Sequence, residues 1–302
     1  MKHKRRKNMY WKSYDPEVTK IKARNAEIFK ETTKCIKAGE YRTDAGNVIK
    51  LDVEPMVKGS ECFHEEFSVA DVPCQEAETK VVVELADCLD TAGRLVQDGY
   101  NPILLNFASA GHPGGGVERG SRAQEETICR RSTLTRSIYA FDTKYAARYG
   151  YPHIQGNNYP ITGQFSAIYS PEVTVFRSGL DCLPMDNPYK VAVITCAALN
   201  LGGKHEIKLT PDGHMPKRAI EITLNKIRTI FRIALAKGHD SMVLGAFGCG
   251  AFKNPPEEMA ALFRQVTEEP EFKNKFRLIS YSIIGDHNSR SRNYNAFKAA
   301  LG

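Results

Sequence analysis

The order of elements along this 302-residue chain predicts an α/β sandwich, a mostly parallel sheet covered by helices on both faces. Three observations carry that expectation. Short apolar runs typical of buried strands alternate with helical stretches from about residue 80 to the C-terminus. One stretch, residues 217–237, places Ile220, Leu224, Ile227, Ile230, Phe231, Ala234 and Leu235 on a single helical face. Glycine-rich loops follow two strand candidates, where open α/β sheets bind their ligands.

Residues 15–38 read as a helix, with Ile21, Ile28, Thr32 and Cys35 near helical spacing and Gly39 as the stop. A short strand is expected over 47–53, after an Ala-Gly turn. Residues 80–85 read as a strand and 88–98 as a helix ending at Gly99. Residues 101–106 form an apolar run suited to a buried strand. A loop with Pro113 and three glycines follows, and 120–148 then reads as helical with several arginines on its outer face. Strands are expected over 173–177 and 190–196, and a buried one over 241–246. A helix over 255–268 has proline near its first turn. The last strand covers 276–284 and the last helix 293–301. Linker composition and repeats are absent. The expected organisation is a basic helical extension, residues 1–75, packed on a core of residues 76–302 as one functional unit.

Composition is that of an ordinary globular chain, 42% hydrophobic and 25% charged. No apolar stretch has membrane-spanning length, and the basic start lacks the apolar region of a secretory signal. The eight cysteines are scattered without a Cys-x-x-Cys pair, so free thiols in a reducing, cytoplasmic setting are expected. His112 and His287 have no metal-like partners, and neither metal nor cofactor is expected. The net charge of +7 lies in residues 1–30, with ten basic and three acidic side chains, and the remainder balances at 32 of each sign. That arm is either a solvated tail or an attractor for a polyanion.

The first glycine loop runs from Asn106 through Pro113 to Gly114, Gly115 and Gly116. Seven residues then lead to Gln124, Glu125 and Glu126. Glycines expose backbone N–H groups that can wrap a pyrophosphate or press on a ribose. A carboxylate near phosphates and another carboxylate holds its proton more tightly, as a general acid for glycosidic cleavage must. A second loop carries Gly245, Gly248, Cys249, Gly250, Ala251 and Phe252. A third, residues 285–293, is polar and basic and borders the same end of the sheet.

The glycine triplet, the seven-residue spacing and Gln124-Glu125-Glu126 resemble the signature of poly(ADP-ribose) glycohydrolases, a branch of the macrodomain superfamily. Asn106-Phe-Ala-Ser-Ala and the early Arg24-Asn-Ala-Glu-Ile-Phe are similar to the microbial form, so the resemblance spans nearly the whole chain. It implies a macrodomain-like three-layer α/β/α sandwich with a mixed central sheet. It implies Glu126 as catalytic acid and Glu125 as the holder of the scissile ribose. Gly114, Gly115 and Gly116 would cradle the diphosphate and crowd that ribose. Asn106 would order the loop or touch the ribose, and Gln124 would join the ligand site. The second loop would cover the diphosphate, with Phe252 on the distal ribose. His112 stands where many relatives carry Asn, and Ala198-Leu-Asn200 where they carry Ala-Pro-Asn. The implied activity releases ADP-ribose from its polymer without metal. The alternatives are a mono-ADP-ribosyl hydrolase acting on protein or DNA, and a non-catalytic ADP-ribose reader.

Overall fold

The computed structural model describes residues 15–69, 73–75, 77–154, 159–202, 205–285 and 291–302. Helix α1, Pro16–Ala38, starts where the Asp15 carboxylate accepts the Glu17 N–H at 3.0 Å. It stops at Gly39, in the left-handed region at φ 69°. Its buried stripe is Asn25, Ile28, Phe29, Thr32, Thr33 and Ile36. Of the stripe read from sequence, Ile28 and Thr32 belong to it, whereas Ile21 is exposed. A small hairpin follows, β1 Glu40–Arg42 against β2 Val48–Lys50, then α2 Glu54–Gly59 and β3 Glu61–Phe63.

The next elements are β4 Lys80–Glu84, α3 Cys88–Gln97 and β5 Pro102–Phe107, then a 3-10 turn at Val117–Arg119 and α4 Gln124–Arg131. Two short helices follow, α5 Leu134–Ile138 and α6 Thr143–Tyr149, and a long hairpin of β6 Ala167–Ser178 and β7 Leu183–Cys196. The rest is α7 Lys217–Ala236, β8 Ser241–Leu244, α8 Pro256–Thr267, β9 Leu278–Ser282 and α9 Arg292–Leu301.

The central sheet has seven strands in the order β3-β6-β7-β5-β8-β9-β4. Strands β7, β5, β8, β9 and β4 pair in parallel, while β6 runs against β7 and β3 against β6. The sheet is therefore mixed and covered on both faces. Successive side chains of β5 separate accordingly: Ile103 and Leu105 enter the core under α7 and α8, and Leu104 the core under α3 and α4. No described helix is long and apolar enough to cross a membrane.

Two readings need correction. Residues 120–148 are not one helix. The chain leaves α4 at Ser132, which turns extended and bridges Val175, while the Thr133 N–H donates to the Thr174 carbonyl. Asp142 then caps α6 and restarts the helix. Nor do its arginines all face out. Arg131 is 2% exposed and reaches Asp87 at 2.9 Å and Asp90 at 2.8 Å, at the start of α3. The strands read at 173–177 and 190–196 are parts of a much longer hairpin, the first next to its turn and the second at its far end. The half of β7 nearer the turn carries Pro184 and Pro188, and irregular register near Ser170 and Val175 interrupts the alternation.

Candidate active site

Strand β5 ends in the middle of the sheet, and its loop returns to α4, which brings Gln124, Glu125 and Glu126 to the strand's end. Gln124 fastens that junction. Its Oε1 accepts the Phe107 N–H at 2.8 Å and its Nε2 donates to the Leu105 carbonyl at 2.7 Å. The side-chain amide thus extends the pairing of β5 and sets the register of the next two residues.

Both glutamates are buried in the first turn of α4, where the helix dipole favours negative charge. Glu125 accepts the Ser109 N–H at 2.7 Å and the Gly114 N–H at 3.0 Å. Burial pushes its carboxyl up to about 8. The Ser109 N–H opposes that rise, the neighbouring Glu126 charge adds to it, and the Gly114 N–H and Asn106 oppose it. Glu126 accepts the Gly116 N–H on Oε1 at 2.8 Å, while its buried Oε2 has no hydrogen-bond partner among the described residues. The two carboxylates therefore differ: both Glu125 oxygens are occupied, and one Glu126 oxygen is free.

The glycine triplet serves these carboxylates. Gly114 and Gly116 donate to them, and the Gly115 N–H closes a turn onto the His112 carbonyl at 2.8 Å. Gly115 sits at φ 59°, and a Cβ there would stand 2.6 Å from Glu126 Oε1 and 2.9 Å from Glu125 Oε2. Glycine is required by both conformation and space. Asn106 is fully buried, donates to Thr195 Oγ1 at 3.2 Å, and leaves its Oδ1 unpartnered among the described residues.

The second loop follows β8. Asn254 shapes it by donating to the Leu199 and Gly248 carbonyls at 2.8 and 3.1 Å. The N–H groups of Gly248, Gly250 and Ala251 donate to no acceptor among the described residues. Gly245 packs behind the loop: a Cβ there would stand 2.8 Å from the Ser282 carbonyl oxygen. Cys249 is also turned inward, donating to the Phe247 carbonyl, and burial pushes its thiol up.

Between the loops lies a cleft of about 390 Å³. Gly115, Gln124, Glu125, Glu126, Gly248, Gly250, Ala251 and Phe252 line it. Asn106, Gly114, Gly116, Gly245 and Cys249 stand behind its wall. Sequence reasoning missed Asp87, Ala198, Ser282, Ile283 and Asn293, which also line it. Each closes a strand, lies just beyond one or opens the following helix, a signal available only once strand order is known. Residues 286–290 of the third loop, with His287, lie outside the described residues. Among the described residues no group of three or more His, Cys, Asp or Glu side chains could hold a metal ion.

Residues 29–178, which contain both glutamates and the glycine triplet, match the family described as microbial-type PARG, catalytic domain. A solved poly(ADP-ribose) glycohydrolase from Thermomonospora curvata is 27% identical, with a TM-score of 0.76 over 92% of this chain and 99% of that one. The same enzyme bound to the inhibitor ADP-HPD is 26% identical, with a TM-score of 0.73 over 91% and 98%. The Deinococcus radiodurans enzyme in complex with ADP-ribose is 25% identical, with a TM-score of 0.63 over 82% and 96%. No curated protein matches this chain. Motif, matched segment and superposition agree: residues 29–178 carry the catalytic domain of the microbial-type poly(ADP-ribose) glycohydrolases, and the whole chain is similar in fold to those enzymes.

Proposed function

We propose that this protein hydrolyses the ribose–ribose bonds of poly(ADP-ribose) and releases ADP-ribose, with Glu126 as the general acid. The observation that carries the reading is the buried pair of carboxylates at the cleft, of which Glu126 alone keeps an oxygen free.

Cleavage passes through an oxocarbenium-like ion and needs the leaving oxygen protonated. The Gly116 N–H holds Glu126 by one oxygen, leaving the other to give that proton and then assist the attacking water. Glu125, anchored by Ser109 and Gly114, stands beside it to orient the scissile ribose. The glycine triplet spends its N–H groups on these carboxylates and on its own turn. The free N–H groups of Gly248, Gly250 and Ala251 are therefore the better diphosphate cradle, with Phe252 against the distal ribose. Asn106 orders the loop from beneath, and Gln124 holds α4 on β5.

We treat residues 1–75 and 76–302 as one functional unit, because β3 completes the sheet beside β6 and α1 packs on the catalytic segment. Residues 1–14, the basic start, lie outside the described residues, and their contact with a polyanion rests on charge alone. The eight free cysteines support a reducing compartment, the cytoplasm.

The test is wild type against Glu126→Gln on labelled poly(ADP-ribose). General acid–base catalysis supplies about 10²–10⁴-fold, so turnover falls by at least that much while ADP-ribose still binds. A Glu126→Gln enzyme that releases ADP-ribose at the wild-type rate removes Glu126 from the role. Wild-type release from mono-ADP-ribosylated protein but not from polymer moves the activity to the monomer.

A further inference from the structure

We infer that the surface joining α1 to the rim of the cleft is a polyphosphate track, which holds the diphosphates of substrate units beyond the one seated in the cleft. This rests on the poly(ADP-ribose) reading above.

The juxtaposition is built into the fold. Gly120 sits at φ 71°, and a Cβ there would stand 1.9 Å from the Lys22 carbonyl oxygen. Asn25 Nδ2 donates to the Gly120 carbonyl at 3.3 Å, and Thr32 Oγ1 to the Arg130 carbonyl at 2.7 Å. Helix α1 is thereby held against the turn that leads from the glycine triplet to Glu126.

Four cations meet at this junction: Lys20 and Lys22 on α1, and Arg119 and Arg122 on either side of Gly120. All four are exposed, and none has an ion pair or side-chain hydrogen bond among the described residues. Their cationic neighbours are committed: Arg24 to Asp181 at 2.9 Å, Lys30 to Glu27 at 3.0 Å and Arg148 to Glu118 at 2.9 Å. Asp15 is spent on the helix cap, which leaves Glu17 as the uncommitted carboxylate at this end of α1.

Exposed cations are often merely solvated. Continuity with the active site separates these. Arg122, which precedes α4, lines the cleft together with Glu126. The substrate repeats a diphosphate in every unit, so a chain leaving the cleft over this rim meets these four cations against one uncommitted carboxylate, Glu17. Binding there releases counterions and is salt-dependent.

The experiment compares wild type with the triple variant Lys20→Gln, Lys22→Gln, Arg119→Gln, leaving Arg122 in place. Long poly(ADP-ribose) and a two-unit substrate are each assayed at low and high salt. For the long polymer at low salt, KM rises about tenfold with kcat unchanged, and the log–log salt slope becomes shallower by about 2. The two-unit substrate is turned over within about twofold of wild type. An unchanged KM for long polymer overturns the track, and so does an equal loss on both substrates. Loss of single-stranded DNA binding with polymer KM intact also overturns it, and makes the surface a nucleic-acid site. Wild type failing on both substrates defeats the glycohydrolase reading itself, a result distinct from failure of the variant alone.

Discussion

Two adjacent glutamates acquire opposite environments from the backbone around them. Glu125 is saturated by the Ser109 and Gly114 N–H groups, whereas Glu126 keeps one free oxygen. Nothing in the Glu-Glu pair distinguishes the first from the second; the distinction comes from where Gly114 and Gly116 point. Glu125 also ties stability to pH. Burial raises its carboxyl from 4.5 to about 8, so folding favours the protonated form. Its stabilising contribution is complete below about pH 4.5 and is lost as pH rises toward 8. Glu125→Gln mimics the protonated form. Its melting temperature relative to wild type should climb across that window and stay level outside it. A constant difference from pH 4.5 to 8 would show that Glu125 is ionised throughout. Gln124, which lines the cleft, also bonds the end of β5 through its amide.

At the scale of elements, the informative contact is between α1 and the catalytic segment. The helix was legible from its stripe and its Gly39 stop, because those signals are local. Its partner was not. Residues 120–148 have helical composition throughout, yet Ser132 leaves the helix to bridge Val175, a residue distant in sequence. Gly120 marks the contact. In Gly120→Ala a β-carbon enters a left-handed position against the Lys22 carbonyl, and strain of this kind costs about 1–3 kcal/mol. The expected result is a lower melting temperature and a kcat reduced about tenfold or more. ADP-ribose affinity changes little, since the second loop is untouched. Wild-type kcat in Gly120→Ala would show that α1 does not position the catalytic segment.

At the scale of the molecule, the cleft gathers Phe107, Ala246 and Ser282 from the ends of β5, β8 and β9, between the two cores. A ligand seated there binds only the folded chain. ADP-ribose at 100 times its Kd adds about 2.7 kcal/mol, on the order of 5 °C in melting temperature for a chain of this size. Wild type and Glu126→Gln should shift alike, and Gly115→Glu, which fills the space against both carboxylates, should not shift. A shift in Gly115→Glu equal to wild type would place the ligand elsewhere. The sequence by itself determined the α/β class, most strand and helix positions, the two glycine loops and the carboxylate pair. Periodicity, caps and the glycine–glutamate spacing are local properties that survive without a partner. Tertiary structure alone decided the division of labour. The glycine triplet holds carboxylates, the second loop keeps its N–H groups free, Arg131 turns inward, and α1 brings its cations to the rim. Each depends on which distant backbone group or charge lies within hydrogen-bonding reach, and chain order does not encode that distance.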